Sequence, residues 1–187
     1  MHTAPMIHRT NEELEAGLTQ IRDAPSERGT LRLIVARTAV DEREIVEQGE
    51  LTLETGLAGD NWLARGDRQT EDGSADPLRQ VTIMNSRVLD LIAGPTEQWP
   101  AAGDQLYADF DISEANAPAG TRLRIGDATL EVTNAPHLGC DKFRSRYGRD
   151  ALRWVNSETG MALKLRGINA RVVDPGTIHT GDPITKL

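Results

Sequence analysis

Apolar residues in this chain recur in short alternating runs, the period-two pattern of half-buried strands. Behind Gly29, the residues Leu31, Leu33 and Val35 alternate as one face of a strand does. Further runs rich in Val, Ile, Leu or Thr, bounded by Gly, Pro or Asp, predict strands over 50–54, 80–84, 121–125, 128–133 and 167–173. Helical spacing shows in three places. Thr10 with Glu13 fits a capping box ahead of Leu14, Leu18 and Ile21, and Pro25 stops that run. Asn85 can cap a helix carrying Val88, Leu89 and Ile92, ended by Gly94-Pro95. Asp150 can cap a shorter helix through Leu152 and Val155 that ends near Gly160.

Glycine followed by aspartate occurs at five places, 59–60, 66–67, 103–104, 126–127 and 181–182, with irregular spacing that makes no repeat. Glycine supplies positive backbone torsions and aspartate bonds nearby amides, so most of these pairs read as plain turns. The pair at 126–127, between alternating runs, is a hairpin signal. Residues 64–77 are polar with few apolar anchors and read as a mobile surface loop able to close over a site. The sum is an α+β domain, predominantly β, with a curved or barrel-like sheet and a few peripheral helices. Strand and helix do not alternate as a doubly wound parallel fold requires. Residues 1–28 read as an N-terminal helical extension packed on a main domain of residues 29–187.

Composition narrows the function classes. A chain of 187 residues with formal net charge −8 argues against general binding to nucleic acid or to anionic membranes. Aromatic residues make up 4%, too few for a base-stacking platform. One cysteine excludes an internal disulfide and points to a reducing compartment. The stretch from Met1 to Arg9 lacks the apolar core of a signal peptide, and no apolar run approaches the roughly 20 residues of a membrane span. A cytoplasmic protein is the expectation.

Chemistry concentrates around Cys140, which Lys142, Arg144, Arg146 and Arg149 follow within ten residues. Positive charge near a thiol favours the thiolate, the form that attacks electrophiles and binds soft metals. The opposing reading is an inert packed thiol, since free cysteine is among the most buried residue types. His137 could pair with Cys140, or be a loop residue whose imidazole faces water, which is the reading slightly favoured. His2 and His8 read as solvated tail residues. There is no phosphate-loop glycine motif, no dinucleotide-binding glycine run and no serine nucleophile elbow. The four histidines have no paired spacing suited to zinc.

Several segments in order carry a resemblance: 56–62 (Gly-Leu-Ala-Gly-Asp-Asn-Trp), 79–84 (Arg-Gln-Val-Thr-Ile-Met), 120–133 ending Leu-Glu-Val-Thr, Cys140-Asp141-Lys142, 167–173, and Gly181-Asp182. Together they resemble the MOSC family, the domain named for the C-terminal part of molybdenum cofactor sulfurases, from about Leu31 to the C-terminus. The resemblance implies a strand-built barrel core for the main domain. It implies that Cys140 is the characteristic cysteine, which ligates molybdenum in some members and carries sulfur as a persulfide in others. It further implies the molybdenum cofactor (molybdopterin), whose phosphate Lys142, Arg144, Arg146 or Arg149 could meet. Asp60 could orient a ligand or hold a turn.

Two chemistries follow from that resemblance, both on a small-molecule substrate or acceptor. One is molybdenum-dependent reduction of N-hydroxylated compounds, with electrons from a reductase partner. The other is sulfur transfer, with pyridoxal phosphate on a separate cysteine desulfurase. A non-catalytic interaction module with a structural cysteine is the alternative. The chain departs from many bacterial relatives in having Gly103-Asp104-Gln105 for a Gly-Glu-Asn step. It also has Gly139 where proline often precedes the cysteine, and Asn61-Trp62 where basic residues or histidine often follow the first glycine-aspartate pair.

Overall fold

The structure, a computed structural model, describes residues 7–187; His2 lies outside the described residues. In chain order the helices and strands are α1 (Asn11–Ala16), α2 (Leu18–Arg22), β1 (Arg28–Ala36), β2 (Glu44–Val46), β3 (Gln48–Thr52) and β4 (Gly56–Leu57). They continue with α3 (Trp62–Arg65), β5 (Val81–Asn85), α4 (Ser86–Ile92), β6 (Leu106–Asp109), β7 (Arg122–Ile125) and β8 (Ala128–Val132). The last are α5 (Asp141–Val155), α6 (Glu158–Ala162), β9 (Ile168–Asp174), β10 (Gly176–His179) and β11 (Pro183–Lys186).

Seven strands close a barrel in the order β1-β11-β7-β8-β9-β5-β6. β2 extends the far end of β1, and β10-β3-β4 form a small second sheet. Closure comes from Gly29↔Ile184 between β1 and β11. A Cβ on Gly29 would stand 2.1 Å from the Asp109 carbonyl oxygen, so the approach of β1 to β6 there needs glycine. β5 and β6 run parallel; the other ladders are antiparallel.

Two apolar cores result. One fills the barrel with Leu31, Ile34, Val81, Ile83, Leu106, Leu123, Leu130 and Ile168. The other lies between the barrel wall and the helices, with Leu14, Leu33, Val35, Met84, Leu89, Tyr107, Phe143 and Trp154. Leu31, Leu33 and Val35 therefore do not share a face. A register shift between Leu31 and Leu33 in the β1–β6 ladder turns Leu31 into the barrel and Leu33 outward. That bulge lets one strand serve both cores.

The other elements match local chemistry with two exceptions. The Thr10–Glu13 capping box forms, although the expected first helix breaks at Gly17. Asn85 caps α4 by accepting from the Arg87 amide. The 126–127 hairpin joins β7 to β8, with Gly126 at φ 53°. The helix expected after Asp150 forms within two residues of that position, but it follows a break at Gly148 (φ 91°, ψ 171°), and an unexpected helical stretch from Asp141, with Cys140 as its N-cap, precedes the break, so α5 is two helices joined at a kink. Its first half buries only Phe143 and Tyr147 among basic residues, so its helical period is faint. Within residues 64–77, Arg79 donates to Asp76 at 3.2 Å and to Gln69 at 2.9 Å. Among the described residues no helix is long and apolar enough to cross a membrane.

Candidate functional site

Where β1 ends and β5 and β6 begin, the barrel rim meets the first turn of α5 and encloses a cleft of about 290 Å³. Cys140, the N-cap of α5, lines it and is exposed, so this thiol is not a packing residue. Seven cationic side chains line the same cleft: Arg37, Arg43, Arg65, Arg79, Lys142, Arg146 and Arg166, against one carboxylate, Asp67. In a chain of net charge −8 such a surface attracts anions.

The cations are positioned by carboxylates set behind them. Asp60, whose side chain is wholly buried, accepts from the Arg37 backbone amide at 2.9 Å and from its guanidinium at 2.8 Å through both oxygens. Asp60 Oδ1 also accepts from the Trp62 amide at 2.9 Å, which fixes the start of α3. Gln105 completes this layer, donating to Asp60 at 3.4 Å and accepting from Thr82 Oγ1 at 2.6 Å. A bidentate Arg–carboxylate pair holds the guanidinium in one plane, ready for a ligand.

A second carboxylate, Asp104, is also wholly buried; it bonds His137 Nε2 at 2.7 Å and accepts from Arg166 Nη1 at 2.7 Å. Burial pushes this carboxyl up, but the Arg166 charge and then His137 outweigh it and bring its pKa down to about 2. Burial lowers the His137 pKa, the Arg166 charge lowers it further, and Asp104 opposes both. His137 is thus neutral near pH 7. A carboxylate only accepts, so the imidazole proton sits on Nε2 and Nδ1 keeps its lone pair. Arg166 is fixed further by donating to the Ala102 carbonyl at 3.1 Å and by stacking 5.2 Å from the Phe143 ring centre.

The sequence-derived site residues separate by geometry. Cys140, Lys142 and Arg146 line the cleft. Arg144 is exposed, 3.8 Å from Asp141, and Arg149 is exposed; neither lines it. Asp60 acts from behind, through Arg37. His137 is not turned to water; it is bonded to Asp104 and lines the cleft. Arg37, Arg43, Arg65 and Arg166 had no mark in the sequence, whereas Asp104 and Gln105 were marked only by the glycine-aspartate pair at 103–104 and by the Gly103-Asp104-Gln105 departure. Three buried polar atoms of cleft or neighbouring residues, Arg43 Nε, Asn61 Oδ1 and Arg166 Nε, have no hydrogen-bond partner among the described residues. A second cavity of about 190 Å³ backs onto the cleft through His137, Arg166 and Asn169 and does not include Cys140.

A family model described as the MOSC domain matches residues 72–185. Among solved structures, the chain is similar to the YUAD protein from Bacillus subtilis, with 17% identity and TM-score 0.60, over 84% of this chain and 94% of that one. It is similar to YiiM from Escherichia coli, with 21% identity and TM-score 0.54, over 84% and 69% of the two chains. YiiM from Geobacillus stearothermophilus aligns at 14% identity and TM-score 0.51, over 87% and 73%. At these identities the likeness is one of fold. No curated protein matches the sequence.

Proposed function

The chain belongs to the MOSC domain family, which is linked to the molybdenum cofactor, and from that premise we propose that the cationic cleft holds this cofactor with the Cys140 thiolate as metal ligand. The observation that carries the reading is one accessible thiol at the mouth of a cleft lined by seven cations. The residues fit the group. A thiolate is a soft donor suited to molybdenum. Arginine and lysine suit the phosphate of the pterin, and the unpartnered Arg43, Asn61 and Arg166 atoms leave hydrogen-bonding capacity for a polar ring.

When bound, the cofactor supplies two-electron redox chemistry. The protein's own residues do the rest. Cys140 would hold the metal, Arg37 and its neighbours would orient the phosphate, and His137, whose tautomer Asp104 holds, would take or return a proton at Nδ1. The proposed reaction is reduction of an N-hydroxylated compound to the amine and water. It consumes two electrons, drawn from a separate reductase, and two protons.

Exposure of Cys140 supports a second reading, a persulfide carrier loaded by a separate pyridoxal-phosphate desulfurase, because a partner's active site could reach this thiol. The test is metal and pterin analysis of protein made in a cofactor-competent host, beside Cys140→Ala. Molybdenum and pterin in the wild type, with the metal lost in the variant, support the ligand reading. A one-sulfur mass gain on Cys140 after incubation with a desulfurase, with no metal, replaces it by the carrier. Neither result would leave the interaction module.

A further inference from the structure

Beside the cleft lies a smaller hollow of about 100 Å³, lined by Arg37, Arg43, Arg65 and Lys142 together with Asn61 and Asp41. All four of its cations also line the main cleft, so the two spaces form one cationic trough. One carboxylate, Asp41, lines the hollow and pairs with cations of the cleft. Asp41 Oδ1 lies 3.0 Å from Lys142 Nζ and 3.3 Å from an Arg146 guanidinium nitrogen. Asp41 sits in the turn between β1 and β2 with φ 61°, in the left-handed region that few non-glycine residues adopt.

Two of the four cations have no carboxylate partner among the described residues. Arg65 makes no ion pair, and Arg43 donates only to the neighbouring Glu42 carbonyl. Both guanidiniums are held below their ordinary pKa, first by partial desolvation and next by the charge of a neighbouring arginine, Arg146 for Arg43 and Arg37 for Arg65. Cations crowded in this way, with one carboxylate leaning in from a strained turn, form an anion site with a substitute anion already present.

We propose that this hollow is the seat of a phosphate monoester and that Asp41 is its internal placeholder. With no ligand, the Asp41 carboxylate neutralises Lys142 and Arg146. A phosphate, carrying more charge and three acceptor oxygens, engages Arg43, Arg65 and Lys142 and displaces it. The identity of the ester rests on the cofactor reading above, whereas the seat and its placeholder rest on the geometry alone.

The experiment is calorimetric titration with inorganic phosphate and with phenyl phosphate at fixed ionic strength. It uses wild type, Asp41→Asn, Asp41→Ser, Arg65→Ala and, as a control outside the seat, Arg144→Ala. Loss of two exposed ion pairs that compete with the ligand should tighten phosphate binding about five-fold in both Asp41 variants. Arg65→Ala should weaken it by about the same factor, and Arg144→Ala should leave it unchanged. Phenyl phosphate binding at least as tightly as phosphate marks the seat as one for an ester; a preference for inorganic phosphate overturns that part. Thermal melting of each variant checks the fold, since Asp41 and Arg65 are exposed. Equal or weaker binding in both Asp41 variants overturns the placeholder, and unchanged binding in Arg65→Ala overturns the seat. Phosphate binding as described, in a protein that acquires no molybdenum or pterin in a competent host, keeps the seat and removes the cofactor reading.

Discussion

Asp104→Ala should be among the most damaging single substitutions in this protein, and its size can be worked from the structure. The carboxylate is wholly buried and is, among the described residues, the only acidic partner of Arg166, whose side chain is 8% exposed. Removing it leaves a buried guanidinium with the Ala102 carbonyl and a weak contact to the Met84 sulfur, and strips His137 of its partner. Breaking a buried pair in this one-sided way costs about 3–5 kcal/mol. That is a large share of the roughly 5–15 kcal/mol that holds a domain folded. Asp104→Asn keeps an acceptor and the shape, and should lose about 2 kcal/mol. Replacing both residues, Asp104→Ala with Arg166→Met, should be less destabilising than Asp104→Ala alone, because no unpaired charge remains. Urea titration reads all of these as a fall in midpoint at constant slope. The pH dependence gives an independent check. The Asp104 pKa is depressed from 3.8 to about 2 on folding. Its contribution of about 2 kcal/mol is therefore fully present above pH 4 and lost as pH falls through the folded value. Wild type should lose this increment between about pH 4 and 2 relative to Asp104→Asn. An Asp104→Ala variant within about 1 kcal/mol of wild type, or parallel acid limbs for wild type and Asp104→Asn, would refute the reasoning.

Three further outcomes are expected. Cys140 should react with iodoacetamide in the folded protein without prior unfolding, because it is exposed; modification seen only in urea contradicts this. Lys142→Ala should lower cofactor retention about several-fold, whereas Arg144→Ala and Arg149→Ala should not, and equal retention across the three would remove the assigned role of Lys142. Nitrogen-15 spectra at pH 7 should show His137 neutral with its proton on Nε2; an imidazolium signal, or a proton on Nδ1, would break the proposed proton-transfer role.

The strands and the capped helices were legible because they depend on local chemistry. Alternation, the Thr10–Glu13 box, the Asn85 cap and the hairpin at 126–127 all formed. The bulge that separates Leu31 from Leu33 was hidden, since a register shift depends on the partner strand β6. One missed helical segment, 141–147, blurred the site. With a helix placed from Asp150 onward, Lys142, Arg144, Arg146 and Arg149 read as an undivided basic run. Once α5 begins at Asp141, Lys142 and Arg146 are four residues apart on one helical face and lie on the cleft, while Arg144 and Arg149 do not.

The glycine-aspartate pairs show where local reading stops. All five glycines have positive φ, as a turn needs. Yet the aspartates meet different fates: Asp60 and Asp104 are wholly buried under Arg37 and Arg166, which lie 23 and 62 residues away in the chain. Nothing within a turn distinguishes these two from the others. The departure at 103–105 can be judged in the same light. Gly103-Asp104-Gln105 keeps a carboxylate followed by an amide, with the side-chain lengths exchanged relative to a Gly-Glu-Asn step. In the fold the shorter carboxylate reaches both Arg166 and His137, and the longer amide reaches Asp60 and Thr82. This chain therefore has a carboxylate and an amide in working contact at this corner. That arrangement also explains how an acidic chain presents a cationic cleft: buried carboxylates beneath the surface hold the guanidiniums that face the ligand.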